Sequence, residues 1–132
     1  LPGAKGFFSK MQSLGCRACL LTATYEPIAN RLAKRLKLEN ALVRATRLGK
    51  KGGKIARVEG NVMEAGEKRR ALESVCRRYS FKLGNVVGIA DSENDAPFME
   101  LVEENGGLCL WKPDFALAGK KVIGWALRRE WK

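Results

Sequence analysis

Apolar positions in the first stretch fall at Phe7, Phe8, Met11 and Leu14, a helical spacing over Ala4 to Leu14 that Gly15 stops. Ala18 to Leu21 is a short continuous apolar run and predicts a strand buried on both faces. Glu26 to Leu38 returns to the helical period, with Pro27 in its first turn and Ile28, Ala29, Leu32, Ala33 and Leu36 along one stripe. Ala41 to Val43 predicts another strand. Arg44 to Val58 predicts two short strands about a tip of Gly49-Lys50-Lys51-Gly52-Gly53. A third helix is expected from Gly66 to Tyr79, with Ala71, Leu72, Val75 and Cys76 inward. NVVGIA, Asn85 to Ala90, carries the clearest strand signal and ends in Asp91. Glu93 to Glu104 reads as helix, Leu108 to Trp111 as a last short strand, and Ala116 to Trp131 as one or two closing helices.

Strands separated by helices of this length imply crossover connections, hence a mostly parallel sheet with helices on both faces, plus one small β-hairpin. The 132 residues suit one α/β domain spanning 1–132, without repeat or linker. No apolar run approaches the roughly 20 residues that cross a bilayer, and no secretory leader pattern opens the chain.

Charge adds a second feature. The formal net charge is +11, and ten basic residues lie between Arg31 and Arg57 against Glu39 alone. Such a face attracts polyanions, nucleic acid among them. It contains no interleaved aromatic residue, which disfavours base readout, so a solvated helix face plus a basic hairpin is the preferred reading and a nucleic-acid partner is not expected. Four cysteines without a leader imply reduced thiols and a cytoplasmic setting. Cys16 and Cys19 form a CxxC, but there is no second CxxC and no histidine to complete a zinc site. Structural thiols are expected.

Ligands of parallel sheets sit beyond the carboxyl ends of the strands, which directs attention to Thr22 and Thr24 and to Asp91, Ser92, Asn94 and Asp95. Asp91 and Asp95 are four apart, at a strand tip and at the start of the next helix. Two carboxylates there suit a hard cation such as Mg²⁺, whereas helix capping explains Asp95 better than Asp91. The Thr22 hydroxyl and the amides of Ala23 and Thr24 could receive a phosphate, or Thr22 could be an ordinary N-cap. Lys68, near the start of the third helix, gains nothing from the helix dipole and would serve as a point charge beside phosphate and carboxylates.

In order, LLTATYEPIANRLAKRL, GEKRRALESV and VVGIADSENDAPFMELV resemble the second, third and fourth motifs of the haloacid dehalogenase-like hydrolases, most nearly the phosphoserine-phosphatase-like branch. The opening LPGAKGFFSKMQSLG, the ATRLGKKGGKIARVEGN hairpin and KPDFAL extend the resemblance over nearly the whole chain. It implies a Rossmann-like three-layer core and an Mg²⁺-dependent hydrolase of small phosphorylated substrates acting through an aspartyl-phosphate. Carried over, Asp91 is the magnesium ligand and Asp95 supports the site by holding Lys68 or a metal-bound water. Thr22, with the amides of Ala23 and Thr24, binds phosphoryl oxygens, and Lys68 offsets the charge on the transferring group. Ser92 and Asn94 belong to the same cluster.

The family's first motif, a DxDxT-like segment supplying nucleophile and general acid, has no counterpart. The chain holds Asp91, Asp95 and Asp114 alone, no two of them two apart. The expectation is that the nucleophile and a helical cap lie upstream of Leu1 or on a companion chain, and that this chain alone lacks turnover. The tail KPDFALAGKKVIGWALRREWK departs from the branch in its extra basic residues after Gly124-Trp125. The alternative is a non-catalytic module of the same fold that holds a polyanion through Arg31 to Arg57.

Overall fold

The computed structural model describes residues 3–38 and 41–111. The expected closing helices, the KPDFAL segment and Asp114 lie outside them. The elements run α1 (Ala4–Ser13), β1 (Cys19–Tyr25), α2 (Glu26–Arg35), β2 (Leu42–Lys51), β3 (Lys54–Glu59), α3 (Ala65–Arg78), β4 (Val87–Ala90), α4 (Ala96–Glu104) and β5 (Leu108–Trp111). Helix and strand alternate as the hydrophobic pattern requires. Two compact units are separated between Ala71 and Leu72, inside α3.

In the first unit the strand order is β1-β2-β3. β1 and β2 are parallel, from Cys19 opposite Leu42 to Tyr25 opposite Thr46, and β2 and β3 are antiparallel, from Arg47 opposite Glu59 to Lys51 opposite Lys54. β2 is one continuous strand, where the sequence predicted a short strand followed by a separate hairpin arm. Nothing between Val43 and Arg44 breaks an extended backbone, so one strand serves both pairings. The hairpin turns on Gly52 and Gly53, both at positive φ (59° and 76°), the backbone that a tight two-residue turn demands.

α2 packs on β1 and β2, burying Ala29 and Ala33. β1 is half-buried over Cys19 to Thr22 and exposed from Ala23 to Tyr25, rather than buried on both faces. Among the described residues only β2 pairs with it, and α1 contributes no buried side chain.

In the second unit β4 and β5 are parallel, Val87 opposite Leu108 through Ala90 opposite Trp111. α4 packs against both, burying Phe98, Met99, Leu101 and Val102. Buried Gly88 and Ala90 alternate along β4 with exposed Val87 and Ile89. The four apolar residues of α3 expected inward, Ala71, Leu72, Val75 and Cys76, are buried, and Lys68 is buried with them.

All four α-helices among the described residues close with the same paired bonds. After α1 these are Gly15 N–H to the Gln12 carbonyl and Cys16 N–H to that of Met11; after α4, Gly106 to Glu103 and Gly107 to Val102. The same pairs follow α2 (Lys37 to Lys34, Leu38 to Ala33) and α3 (Ser80 to Arg77, Phe81 to Cys76). Each is a Schellman motif, which needs a left-handed residue just past the helix. Glycine fills that place twice, while Lys37 (φ 55°) and Ser80 (φ 56°) fill it without glycine's freedom.

Candidate phosphate and cation sites

The first candidate cluster lies where β1 leaves its ladder. Thr22 pairs with Ala45 and Tyr25 with Thr46, so Ala23 and Thr24 are two extra residues against none on β2. Such an irregularity pushes backbone outward and re-aims side chains. The Thr24 amide donates to Thr22 Oγ1 at 3.2 Å. Two expectations change as a result. Thr22 is not a helix cap, since the N-cap of α2 is Tyr25 and makes no side-chain bond. The Thr24 amide is not open to a ligand in this arrangement, because Thr22 accepts it. The Thr22 oxygen, having accepted, still carries a hydroxyl hydrogen to donate.

Lys68, in the same unit, sits in the early part of α3 with 7% of its surface exposed. A buried ammonium near a helix N-terminus is opposed by the dipole and rarely explained by packing. Neighbouring Glu67 is occupied by the Asn61 amide at 2.9 Å and by Arg70 at 2.7 Å.

The second cluster follows β4. Asp91 is exposed directly after the strand, and Ser92 is extended (φ −147°, ψ 159°). A 3-10 turn over Glu93–Asp95 then leads into α4. Asp95 is 6% exposed, and its Oδ2 accepts from Ser92 Oγ at 3.3 Å. Its amide donates to the Ser92 carbonyl at 3.0 Å. Asp95 occupies the N-cap position of α4 yet makes no side-chain cap bond, so capping does not account for its carboxylate. Glu93 and Asn94 are exposed.

Among the described residues no group of three His, Cys, Asp or Glu side chains gathers to form a cage. The donors available here are hard oxygens: an exposed carboxylate, a buried one and a serine hydroxyl. That set fits Mg²⁺, which takes one or two carboxylates and keeps several waters. Among the described residues the cysteines form no disulfide: Cys16 is exposed, Cys19 half-buried, and Cys76 and Cys109 buried.

The basic hairpin is open to solvent. All six residues of β3 are exposed, and a groove of about 240 Å³ is lined by Gly49, Lys50, Lys51, Ala56, Arg57 and Glu59. Thr46, which the sequence pattern did not single out, is 1% exposed and bonded at both ends. Its signal was a lone hydroxyl residue inside an otherwise apolar and basic strand.

Comparison with known proteins agrees with this architecture. Residues 1–100 match the model of the haloacid dehalogenase-like hydrolases. A phosphoserine phosphatase of Archaeoglobus fulgidus is 26% identical over 98 residues, covering 74% of this chain and 28% of that protein. A probable phosphoserine phosphatase from Vibrio cholerae in unliganded form superposes with a TM-score of 0.70 at 21% identity, over 86% of this chain and 34% of that one. A substrate-bound phosphoserine phosphatase complex gives 0.64 at 21% identity, over 82% and 57%. The chain belongs to the haloacid dehalogenase-like hydrolase family. It spans about a quarter of the length of the curated relative it matches.

Proposed function

We propose that this chain is part of a phosphatase, an Mg²⁺-dependent, phosphoserine-phosphatase-like hydrolase of small phosphomonoesters whose nucleophilic aspartate lies outside it, on an upstream segment or a companion chain. The observation that carries this reading is the state of the two aspartates. Asp91 stands exposed at a strand end, and Asp95 is buried on Ser92 without capping the helix it begins. Capping does not account for the Asp95 carboxylate, and Asp91 faces solvent at the strand end.

Asp91 would hold the cation, and Asp95, fixed by Ser92, would orient a bound water. Bound Mg²⁺ would supply charge stabilisation at the phosphoryl oxygens. The Thr22 hydroxyl donates its remaining hydrogen to a phosphoryl oxygen, and Lys68 offsets negative charge there. Both are fixed electrostatic help of the kind on which phosphoryl transfer depends. The aspartyl-phosphate formed on the external nucleophile is then hydrolysed by water. Four cysteines without a disulfide suit a reducing cytoplasm, and among the described residues no helix is long and apolar enough to cross a membrane.

The test is hydrolysis of an aryl phosphate by the assembly of this chain with the segment that supplies the nucleophile. Asp91→Asn is expected to lower kcat by at least about a hundredfold, and full activity in that variant overturns the assignment. A second reading, polyanion binding by the Arg31 to Arg57 face, is favoured by the exposure of the whole of β3 and the open groove beside Lys50, Lys51 and Arg57.

A further inference from the structure

We infer that Thr46 is a positioning residue for the phosphate-binding turn Thr22–Thr24, an inference that rests on the phosphatase reading of that turn. Thr46 is the β2 residue opposite Tyr25, where the parallel ladder resumes after the two extra residues. Its hydroxyl donates to the Ala23 carbonyl at 2.8 Å and accepts from the Met63 amide at 3.1 Å. The direction of both bonds is unambiguous. An amide only donates, so the oxygen receives Met63 N–H, and the single hydroxyl hydrogen is left for Ala23.

The Ala23 carbonyl and the Thr24 N–H belong to one peptide group, which is planar and rigid. Thr46 anchors its oxygen, and Thr22 Oγ1 accepts its hydrogen at 3.2 Å. One plane is therefore pinned at both ends, and the second pin is the hydroxyl assigned to the phosphoryl group. Holding that plane fixes where Thr22 Oγ1 receives its bond, and hence where its free hydrogen points. Through Met63 the same hydroxyl ties this turn to the segment entering α3, five residues before Lys68. A buried hydroxyl thus sets the geometry of the Thr22 group assigned to the phosphate and bonds the segment that leads into α3.

The substitutions that separate the possibilities are Thr46→Val, which keeps the shape and deletes both bonds, and Thr46→Ser, which keeps both. The probe is inorganic phosphate, titrated calorimetrically into the full protein, with exchange rates of the Thr24 and Met63 amides read alongside. Thr46→Val is expected to weaken phosphate binding about tenfold, raise KM more than it lowers kcat, and speed exchange at both amides. Thr46→Ser should restore affinity to within about twofold. Wild-type affinity in Thr46→Val, or failure of Thr46→Ser to restore it, overturns the positioning role while the phosphate site stands. Absence of phosphate binding in the wild type overturns the site itself, and the role falls with it. If Thr46→Val does not fold, Thr46→Cys, with its weak donor and acceptor, takes its place, and unchanged affinity there counts equally against the inference.

Discussion

Gly88 and Gly107 sit in the second unit, and they differ in what a methyl group would strike. Alanine at 107 would put its Cβ 2.5 Å from Val102 Cγ1, 2.7 Å from the Val86 carbonyl oxygen and 2.8 Å from that of Leu83. Val102 is fully buried. The Val86 carbonyl accepts from Leu108 N–H at 3.0 Å, and the Leu83 carbonyl accepts from Val86 N–H at 3.0 Å. Relief therefore means moving backbone that is already bonded. Overpacking together with one weakened backbone bond amounts to about 3 kcal/mol. Alanine at 88 would meet Met99 Sδ at 2.6 Å, with the next atoms, Met99 Cε and Phe98 Cε2, at 3.6 Å. A thioether on three rotatable bonds yields more readily than a carbonyl, so about 1–2 kcal/mol is expected there. Urea denaturation followed by circular dichroism reads the difference. With a slope of about 1–3 kcal/mol per molar urea, the Gly107→Ala midpoint should fall by about 1 M or more, and that of Gly88→Ala by roughly half as much. If Gly107→Ala unfolds at or above the Gly88→Ala midpoint, the argument that backbone rigidity decides the cost is wrong.

Two further outcomes are expected. Affinity of the chain for single-stranded nucleic acid at low salt should fall steeply as salt rises, and should drop again in Lys50→Gln/Lys51→Gln while surviving Asp91→Asn; a lack of low-salt binding removes the polyanion reading. Burial first, and the Glu103 charge second, push the Cys109 thiol from its ordinary 9.0 up to about 11. The folded state therefore keeps a proton that the unfolded chain releases, and this contribution to stability is complete below pH 9 and lost as pH rises through about 11. Thermal melts of wild type and Cys109→Ala between pH 8 and pH 11 should show a steeper decline in the wild type, and parallel curves refute the assignment.

Much of the molecule was legible in one dimension because the relevant interactions are local. The 3.6-residue stripe of α3 named its four buried apolar residues, and the glycine-rich run 49–53 marked the hairpin, though its turn narrows to Gly52 and Gly53 because Gly49 to Lys51 pair in the ladder. Asp91 and Asp95 stood out as candidates because polar residues directly after an apolar strand fall at the carboxyl end of a parallel sheet.

Tertiary structure decided what depends on partners far along the chain. Whether Thr22 caps a helix or faces a ligand turns on a ladder irregularity that exists only once β1 lies against β2. The Thr46 hydroxyl bonds residues 23 and 17 positions away, so no window on the sequence contains its role. Lys37 and Ser80 end helices in a backbone that their residue types disfavour, since the paired carbonyl bonds closing each helix outweigh the local cost. Composition and period determined the elements and the fold class; the long-range hydrogen bonds, which form only in the folded chain, decided how the Thr46 hydroxyl and the turn it bonds are held.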